Sequence, residues 1–549
     1  MKQASAPLIF VTGVGQTWSS LKTDPHHRWN LLPVDKEVMF YNYPKDGRRR
    51  LAGLAAKALR TALFGSDCIQ KEELNRIFKD LFRWCIVDEN GNLPEEVDVR
   101  IYGARSFEKL KNVSMTTGEY TDDEDESLLR RIYADIPCRA LAGEYGLENI
   151  YCFNYSTFSD LYTNAEKLHT MIEQVLEDQK DKTGAKQVIL VPMSMGATVV
   201  SAYLDKYYTD TGSIGENLVQ KVISIVGAWD GSDGLADLFS CDGGSDWNEK
   251  FYDTYLREAL DNDKLFKCLS PVKKEAVNKL LAKVIDSLLD SILLNTSAFM
   301  ALIPKDRFPA LSKILFTPER EACIPRYKHV HEEALRYYAA QCNLRKRMYG
   351  LHEHCGIGFY FLAGYNMPFG GTKSDFEFLK LLNSANKTNS DTVIQISSTV
   401  PGTKWVKCGE QLENAAEEPV CTAHNHRSPD NTVDAAFAWF PENCWYFEGQ
   451  EHELGTNNTA LKLAIDIALG EVQDITDPRF PQFNQSRDIR EAEKYLRKAR
   501  EKLQKGTLSD GKRKAIEEAA AQTQAMLDCT HNNREQDNKK VKQLKELLD

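Results

Sequence analysis

VILVPMSMGATVVSAYL, residues 188–204, joins an apolar strand to an apolar helix through a turn that carries one serine. Val188–Val191 is a short β-rich run, Ser194 stands at the tip of the turn, and the helix opens at Met195-Gly196-Ala197. A strand that turns this sharply into a helix pushes the serine hydroxyl out above a sheet. It also aims the backbone N–H groups and the positive dipole end of the new helix at the space beside that hydroxyl, where an oxyanion could develop. Strand and helix can pack closely there only if the residues after the serine are small, and Gly196 and Ala197 are. The elbow pattern G-x-S-x-G would have glycine where this chain has Pro192. Proline's fixed φ suits a strand end, and its missing N–H is tolerable at such a position. The competing reading is a serine that merely caps a helix.

Outward from the elbow, short apolar runs recur at Leu8–Val11, Val38–Tyr41, Ile150–Phe153, Val222–Val226, Phe359–Ala363 and Trp445–Phe447. Helical segments separate them, which predicts an α/β class with a mainly parallel sheet and helices on both faces. Leu161, Ala165, Leu168, Ile172 and Val175 fall at steps of three and four and define one such helix. The spacing breaks twice. About 130 residues lie between Val222 and Phe359, far beyond a crossover's need, and Val277, Leu281, Val284, Leu288 and Ile292 give them a helical stripe. Helices are also expected over DWNEKFYDTYLREAL and HEEALRYYAAQCNLRKRMY, so residues 232–355 read as a helical cap. Residues 367–427 read as a β extension with one strand at Val393–Ser397. The expected domains are therefore 1–484, carrying both insertions, and 485–549. In the latter, three helices broken at KGTLSDG and THNNREQDN suggest a small bundle.

Two further groups must meet the serine. In α/β hydrolases the nucleophile, the acid and the histidine follow in that chain order. Asp430, in the turn SPDNTV, and His452, in a polar loop after the aromatic run WYF, satisfy it and are assigned as acid and base. Asp391, in NSDTVIQIS, is the main rival acid, and Asp434 is a third candidate that reads better as a turn or helix-start residue. The oxyanion donors are assigned to the backbone of Met195 and Val14, with Gly15 as alternative to Val14. The loop TGVGQ that carries Val14 and Gly15 follows the first strand directly and has neither G-x-G-x-x-G nor GK[ST] for binding phosphate.

These stretches resemble the lecithin:cholesterol acyltransferase-like, or lipase, branch of the α/β hydrolases over roughly residues 6–470. PLIFVTGVGQ is similar to the branch's opening strand and oxyanion loop. NIYCFNYSTFSDLYTNAEKLHTMIEQVL resembles the strand and helix before the nucleophile, with Ser156-Thr157-Phe158 in place of Asp-Trp-Arg. TSAFMALIP (296–304) resembles a cap segment, FYFLAGYNMP the strand before the β extension, and DNTV the acid turn. The elbow departs from the branch at Pro192 and Met193. The resemblance implies an α/β-hydrolase fold and chemistry on acyl esters, lipids included.

Composition sets the limits. At 549 residues, 42% hydrophobic and 27% charged, with a net charge of −11, the chain reads as globular and not as a nucleic-acid binder. The tail has sixteen basic and twelve acidic residues from Arg487 onward, a solvated surface and not a basic arm. Thirteen scattered cysteines without a C-x-x-C pair suggest reduced thiols and a cytoplasmic protein, or a secreted one if a leader was removed. Asp286 and Asp290 interrupt the longest apolar stretch, so no transmembrane segment is expected, though a transient contact with a lipid surface is compatible. His352-Glu-His354 and His424-x-His426 lack a matched partner pair at ligand spacing, so no metal and no cofactor are expected. TDDEDE (121–126) lacks the alternation and glycine of an EF-hand loop. The function read here is a serine esterase, lipase or phospholipase acting through a Ser194 acyl-enzyme on a small-molecule or lipid ester. The alternatives are an O-acyltransferase using the same triad and a catalytically silent scaffold whose tail binds a protein partner.

Overall fold

The apolar runs around the elbow become fully buried parallel strands in the computed structural model. It describes residues 6–16, 19–29, 45–64, 69–99, 103–115, 117, 119–123, 126–136, 138–239, 271–322, 324–369, 387–413, 417–452, 454, 457–485, 489–504, 509–528 and 534–548. The strands are β1 (Leu8–Val11), β2 (Ile150–Phe153), β3 (Val188–Pro192), β4 (Val219–Ile225), β5 (Gly358–Tyr365), β6 (Cys444–Glu448) and β7 (Phe483–Gln485). They pair in the order β7-β6-β5-β4-β3-β1-β2, every pair parallel.

Alternation along each strand sends side chains to two cores. Ile9, Val11, Val188 and Leu190 join one, with the helices Leu161–Gln179 and Gly196–Tyr207; Leu8, Phe10, Ile189 and Val191 join the other, with the helix Asn458–Leu469. Because both faces are covered, the strands read as continuous apolar runs and not as alternating ones. Leu161, Ala165, Leu168, Ile172 and Val175 are all buried, as the helical spacing requires. The α/β class expected from the sequence is therefore the one observed. Val38–Tyr41 lies outside the described residues.

Proline at the end of a central strand has a local reason. Pairing of β3 with β4 runs to Leu190↔Val222 and resumes only as an isolated bridge, Met193↔Ile225. Pro192, with no N–H to give, falls in that interval. Toward β1 the next donor takes over, Met193 N–H to Val11 O at 3.0 Å.

The helical insertion between β4 and β5 contains Asp233–Phe239, Pro271–Ser291, Phe308–Leu315 and the 29-residue helix Tyr327–Cys355, which takes in the HEEALRYYAAQCNLRKRMY segment. The DWNEKFYDTYLREAL segment lies outside the described residues. Of the stripe expected here, Ile292 is buried and Leu288 packs against the apolar cluster of this layer, while the side chains of Val277 and Leu281 lie outside those described. Ala276, Ala282, Asp286, Leu289 and Asp290 are buried, whereas Val284 and Leu288 are only partly so. Two carboxylates can face inward because Arg320 bonds both, Asp286 at 2.5 Å and Asp290 at 2.8 Å, and Lys71 bonds them again at 2.5 and 2.7 Å. Hydropathy alone does not anticipate a buried charge that is fully paired.

A second insertion, between β1 and β2, is absent from the sequence reading. It contributes the helices Lys45–Phe64 and Lys71–Leu81 and a three-stranded antiparallel sheet centred on Ser19–Leu21. Ile77 and Leu81 enter the same apolar cluster as Leu289, Phe299 and Ile303 of the other insertion, so both build one layer. In the β extension the expected strand Val393–Ser397 does not form; the chain makes short ladders at Met367–Pro368/Asn389–Ser390 and Lys404–Trp405/Val433–Asp434. Instead, Asp391 accepts from the N–H groups of Val393 and Ile394, which turns the chain into the short helix Ile396–Thr399. After β7, three helices (Ile489–Gln504, Asp510–Asp528 and Arg534–Leu548) close on an apolar core of their own. Among the described residues no helix is long and apolar enough to cross a membrane.

Candidate active site

The elbow is held by its neighbours on three sides. Ser194 takes the left-handed backbone region, φ 50°, uncommon for a residue with a Cβ. Its N–H donates to Ile225 O at 3.3 Å, and its carbonyl accepts from Ala197 and Ala228 at 3.1 and 2.9 Å. The helix that follows presses onto β1 so closely that a Cβ at Gly196 would lie 2.3 Å from Val11 O. The loop after β1 crosses over the serine: a Cβ at Gly13 would lie 2.7 Å from Ser194 Cβ. This is the close approach for which the sequence reading invoked small residues. Thr12 ties that loop to β2 through its hydroxyl, 3.1 Å from Phe153 O, and Gln16 Oε1 accepts from Gly13 N–H at 2.8 Å.

β6 delivers the histidine. Past its end at Glu448 the chain reaches His452, whose Nε2 lies 2.8 Å from Ser194 Oγ and whose Nδ1 lies 2.8 Å from Asp391 Oδ2. Asp391 is completely buried and His452 nearly so, with about a tenth of its side chain exposed. The other carboxylate oxygen, Oδ1, accepts from Val393 N–H at 3.0 Å and Ile394 N–H at 2.8 Å. A buried carboxylate with three donors around it is satisfied without a cation. Thr392 beside it adopts φ 82°, backbone strain that the surrounding bonds hold in place.

The acid assigned from sequence is therefore corrected: Asp391, not Asp430, lies against His452. Both carboxyl oxygens of Asp430 face Thr432, its own turn, at 2.9–3.0 Å from the hydroxyl, in a half-buried loop. Asp434 caps the turn Ala435–Phe437 through Ala436 N–H. The two aspartates offer the same local signal, Asp followed within three residues by Thr-Val, and both obey the Ser-Asp-His order. Separation along the chain favoured Asp430, 22 residues from His452 against 61, but chain distance does not measure distance in space. The usable clue was position after β5, since the extension that begins there returns at Asn389–Ser390 to pair with Met367–Pro368, just past the end of β5 and immediately before Asp391.

Beside the serine, neither Met195 N–H nor Val14 N–H meets an acceptor among the described residues. Met195 itself belongs to the apolar cluster of the insertions, with Phe158, Phe299, Ile303, Phe369 and Ile394.

No family model matches the chain, and no curated protein matches it. Nine chains of solved structures do. One comes from "The crystal structure of Tle4-Tli4 complex". It is 11% identical, with 86% of this chain and all of that chain covered, at a TM-score of 0.35. A likeness that low carries no argument. The α/β class rests on the sheet described above.

Below the insertion, Asp160 is the buried anchor between the β2 loop and the helix Tyr327–Cys355. Arg326 bonds both of its carboxyl oxygens, and His329 Nε2 lies 2.9 Å from Oδ2. Burial alone would raise this carboxyl; hydrogen bonding and charge from Arg326, with His329, outweigh it and hold Asp160 below the usual carboxylate range. Asp160, His329 and Glu333 form one of two groups with metal-ligand spacing among the described residues; Cys421, His424 and His426 form the other. Arg326 already occupies the first.

Proposed function

We propose that this protein is a serine hydrolase of carboxylic esters, in which Ser194 is the nucleophile, His452 the general base and Asp391 the residue that orients it. The relay Ser194 Oγ–His452 Nε2–His452 Nδ1–Asp391 Oδ2, with both polar contacts at 2.8 Å, carries the reading. Two backbone N–H groups already fill Asp391 Oδ1, so Oδ2 accepts the Nδ1 proton. That leaves the lone pair of Nε2 facing the serine hydroxyl.

In this reading Ser194 Oγ attacks the ester carbonyl carbon while its proton passes to His452 Nε2. The imidazolium is stabilised by the buried Asp391 carboxylate. The former carbonyl oxygen, now negative, accepts from the N–H groups of Met195 and Val14. Collapse of the tetrahedral species breaks the ester C–O bond, and the Nε2 proton leaves with the alcohol. Water then attacks the acyl-enzyme, with His452 again taking a proton and returning it to Ser194. The apolar cluster that reaches Met195 supports an acyl group of some length, which is the lipid-like class the sequence resemblance implies.

A fluorophosphonate probe tests the core of the proposal. The wild-type chain should label at Ser194, and Ser194→Ala should neither label nor turn over p-nitrophenyl butyrate. The loss expected for a missing nucleophile is of the order of 10⁶-fold in kcat. Equal labelling of both proteins would end the proposal.

A further inference from the structure

Loop 421–426 of the β extension lies against the segments that lead into β6 and β7 through side chains with metal-binding chemistry. Cys421 Sγ is 3.9 Å from His424 Nδ1 and 3.9 Å from Glu442 Oε1, and His424 Nδ1 is 3.4 Å from that same oxygen. One ligand atom from each of Cys421, His424 and His426 falls within 4.8 Å of the others. A tetrahedral zinc with sulfur at about 2.3 Å and nitrogen or oxygen near 2.0–2.1 Å needs edges of about 3.3–3.6 Å; the three edges among Cys421, His424 and Glu442 are 3.9, 3.9 and 3.4 Å.

His426 singles this group out. It is 2% exposed, and its Nε2 is a buried polar atom with no hydrogen-bond partner. Its other nitrogen fixes the tautomer. Gln482 gives both amide hydrogens away, to Pro441 O at 2.8 Å and Cys444 O at 3.2 Å, so the atom 2.9 Å from His426 Nδ1 is the amide oxygen. Nδ1 therefore carries the proton and donates it, which leaves a lone pair on Nε2. A buried imidazole lone pair without a donor costs free energy unless something electrophilic meets it. An imidazole whose far N–H is held by an amide carbonyl is the usual arrangement behind a metal ligand.

We propose that Cys421, His424, His426 and Glu442 bind one zinc ion, through Sγ, Nδ1, Nε2 and Oε1. Thiolate, two imidazoles and a carboxylate form a donor set suited to zinc and poor for magnesium or calcium. Four protein ligands leave no open position, so the site is structural. Its place in the fold agrees. Glu442 and Gln482 precede the first residues of β6 and β7, whereas Ser194 and His452 follow the last residues of β3 and β6. In a parallel sheet those are opposite edges.

The test is metal content of the full chain after loading with zinc chloride and desalting. Wild type should retain about one zinc per chain, and Cys421→Ser and His426→Ala should each bind at least about a hundredfold more weakly in competition with a chromophoric chelator. His424→Ala, at an exposed position, serves if the buried His426 variant does not fold. Cobalt in place of zinc should give a thiolate charge-transfer band that Cys421→Ser abolishes. Chelation should lower Tm yet leave hydrolysis of small esters unchanged below the transition. Less than about a tenth of an equivalent in loaded wild type, or equal zinc in wild type and all three variants, overturns the site.

Discussion

Replacing Asp391 by asparagine discriminates sharply among readings of the site, because the neighbouring bonds dictate how the new side chain must sit. Oδ1 accepts from two backbone N–H groups, so the introduced amide keeps its oxygen there and its NH₂ occupies the Oδ2 position, 2.8 Å from His452 Nδ1. An NH₂ facing Nδ1 forces that nitrogen to accept. The ring proton moves to Nε2, which then points a hydrogen at Ser194 Oγ and cannot take one from it. The analogous exchange in a serine protease triad costs about 10⁴-fold in kcat, equivalent to about 5.5 kcal/mol of transition-state stabilisation. Asp391→Asn should thus lower kcat for p-nitrophenyl butyrate by about that factor, with Tm nearly unchanged because the shape is kept. Asp430→Asn, whose carboxyl oxygens accept from Thr432 in its own turn, should change kcat less than about twofold. A loss under about tenfold for Asp391→Asn, or over about a hundredfold for Asp430→Asn, refutes the reasoning.

Three other outcomes follow from the same geometry. Arg326→Met should destabilise the fold by about 3–5 kcal/mol at pH 7, read from urea midpoints, because it removes the guanidinium that bonds both oxygens of the buried Asp160 carboxylate. The sign with pH is set by the lowered folded pKa. The pair's contribution is full above the unfolded value near 4 and is lost as pH falls through the folded one, so wild type and variant should converge in acid; a constant gap between pH 7 and 3 would contradict this. For ester hydrolysis, kcat/KM should rise about fourfold per added methylene from acetate to hexanoate if the acyl chain enters the apolar cluster at Met195, and a preference for acetate would remove the lipid-like substrate class. A chain ending at Ser486 should fold and keep kcat/KM for acetate esters within about threefold, since the last three helices close on their own core; a folded but inactive truncation would show that they complete the site.

Local pattern carried the parts of this protein that depend on neighbours in sequence. The α/β class was legible because strands buried on both faces must be continuously apolar, and the helix Leu161–Gln179 because its buried side chains recur at helical spacing. The Ser194 elbow was legible because a strand, a tight turn and small residues have to be contiguous, and the three tail helices because their breakers stand between them. What depended on remote pairing was not. The inward-facing Asp286 and Asp290 of Pro271–Ser291 are not legible in the sequence, because their burial depends on Arg320 and Lys71. The insertion after β1 escaped notice because it shares a core with a segment more than 200 residues away. Asp391 and Asp430 sit in turns of the same chemistry, and the return of the extension to Met367–Pro368, just past β5, sets one of them against His452. The same holds at the proposed zinc site, where Cys421, His424 and His426 are close in sequence but Glu442 and Gln482 arrive by way of the β6 and β7 strands. Sequence alone specified the scaffold and the serine at its edge. Which charged and polar side chains meet there, or at the opposite edge, was decided by tertiary structure, because such pairs are selected by distance in space and leave no periodicity along the chain.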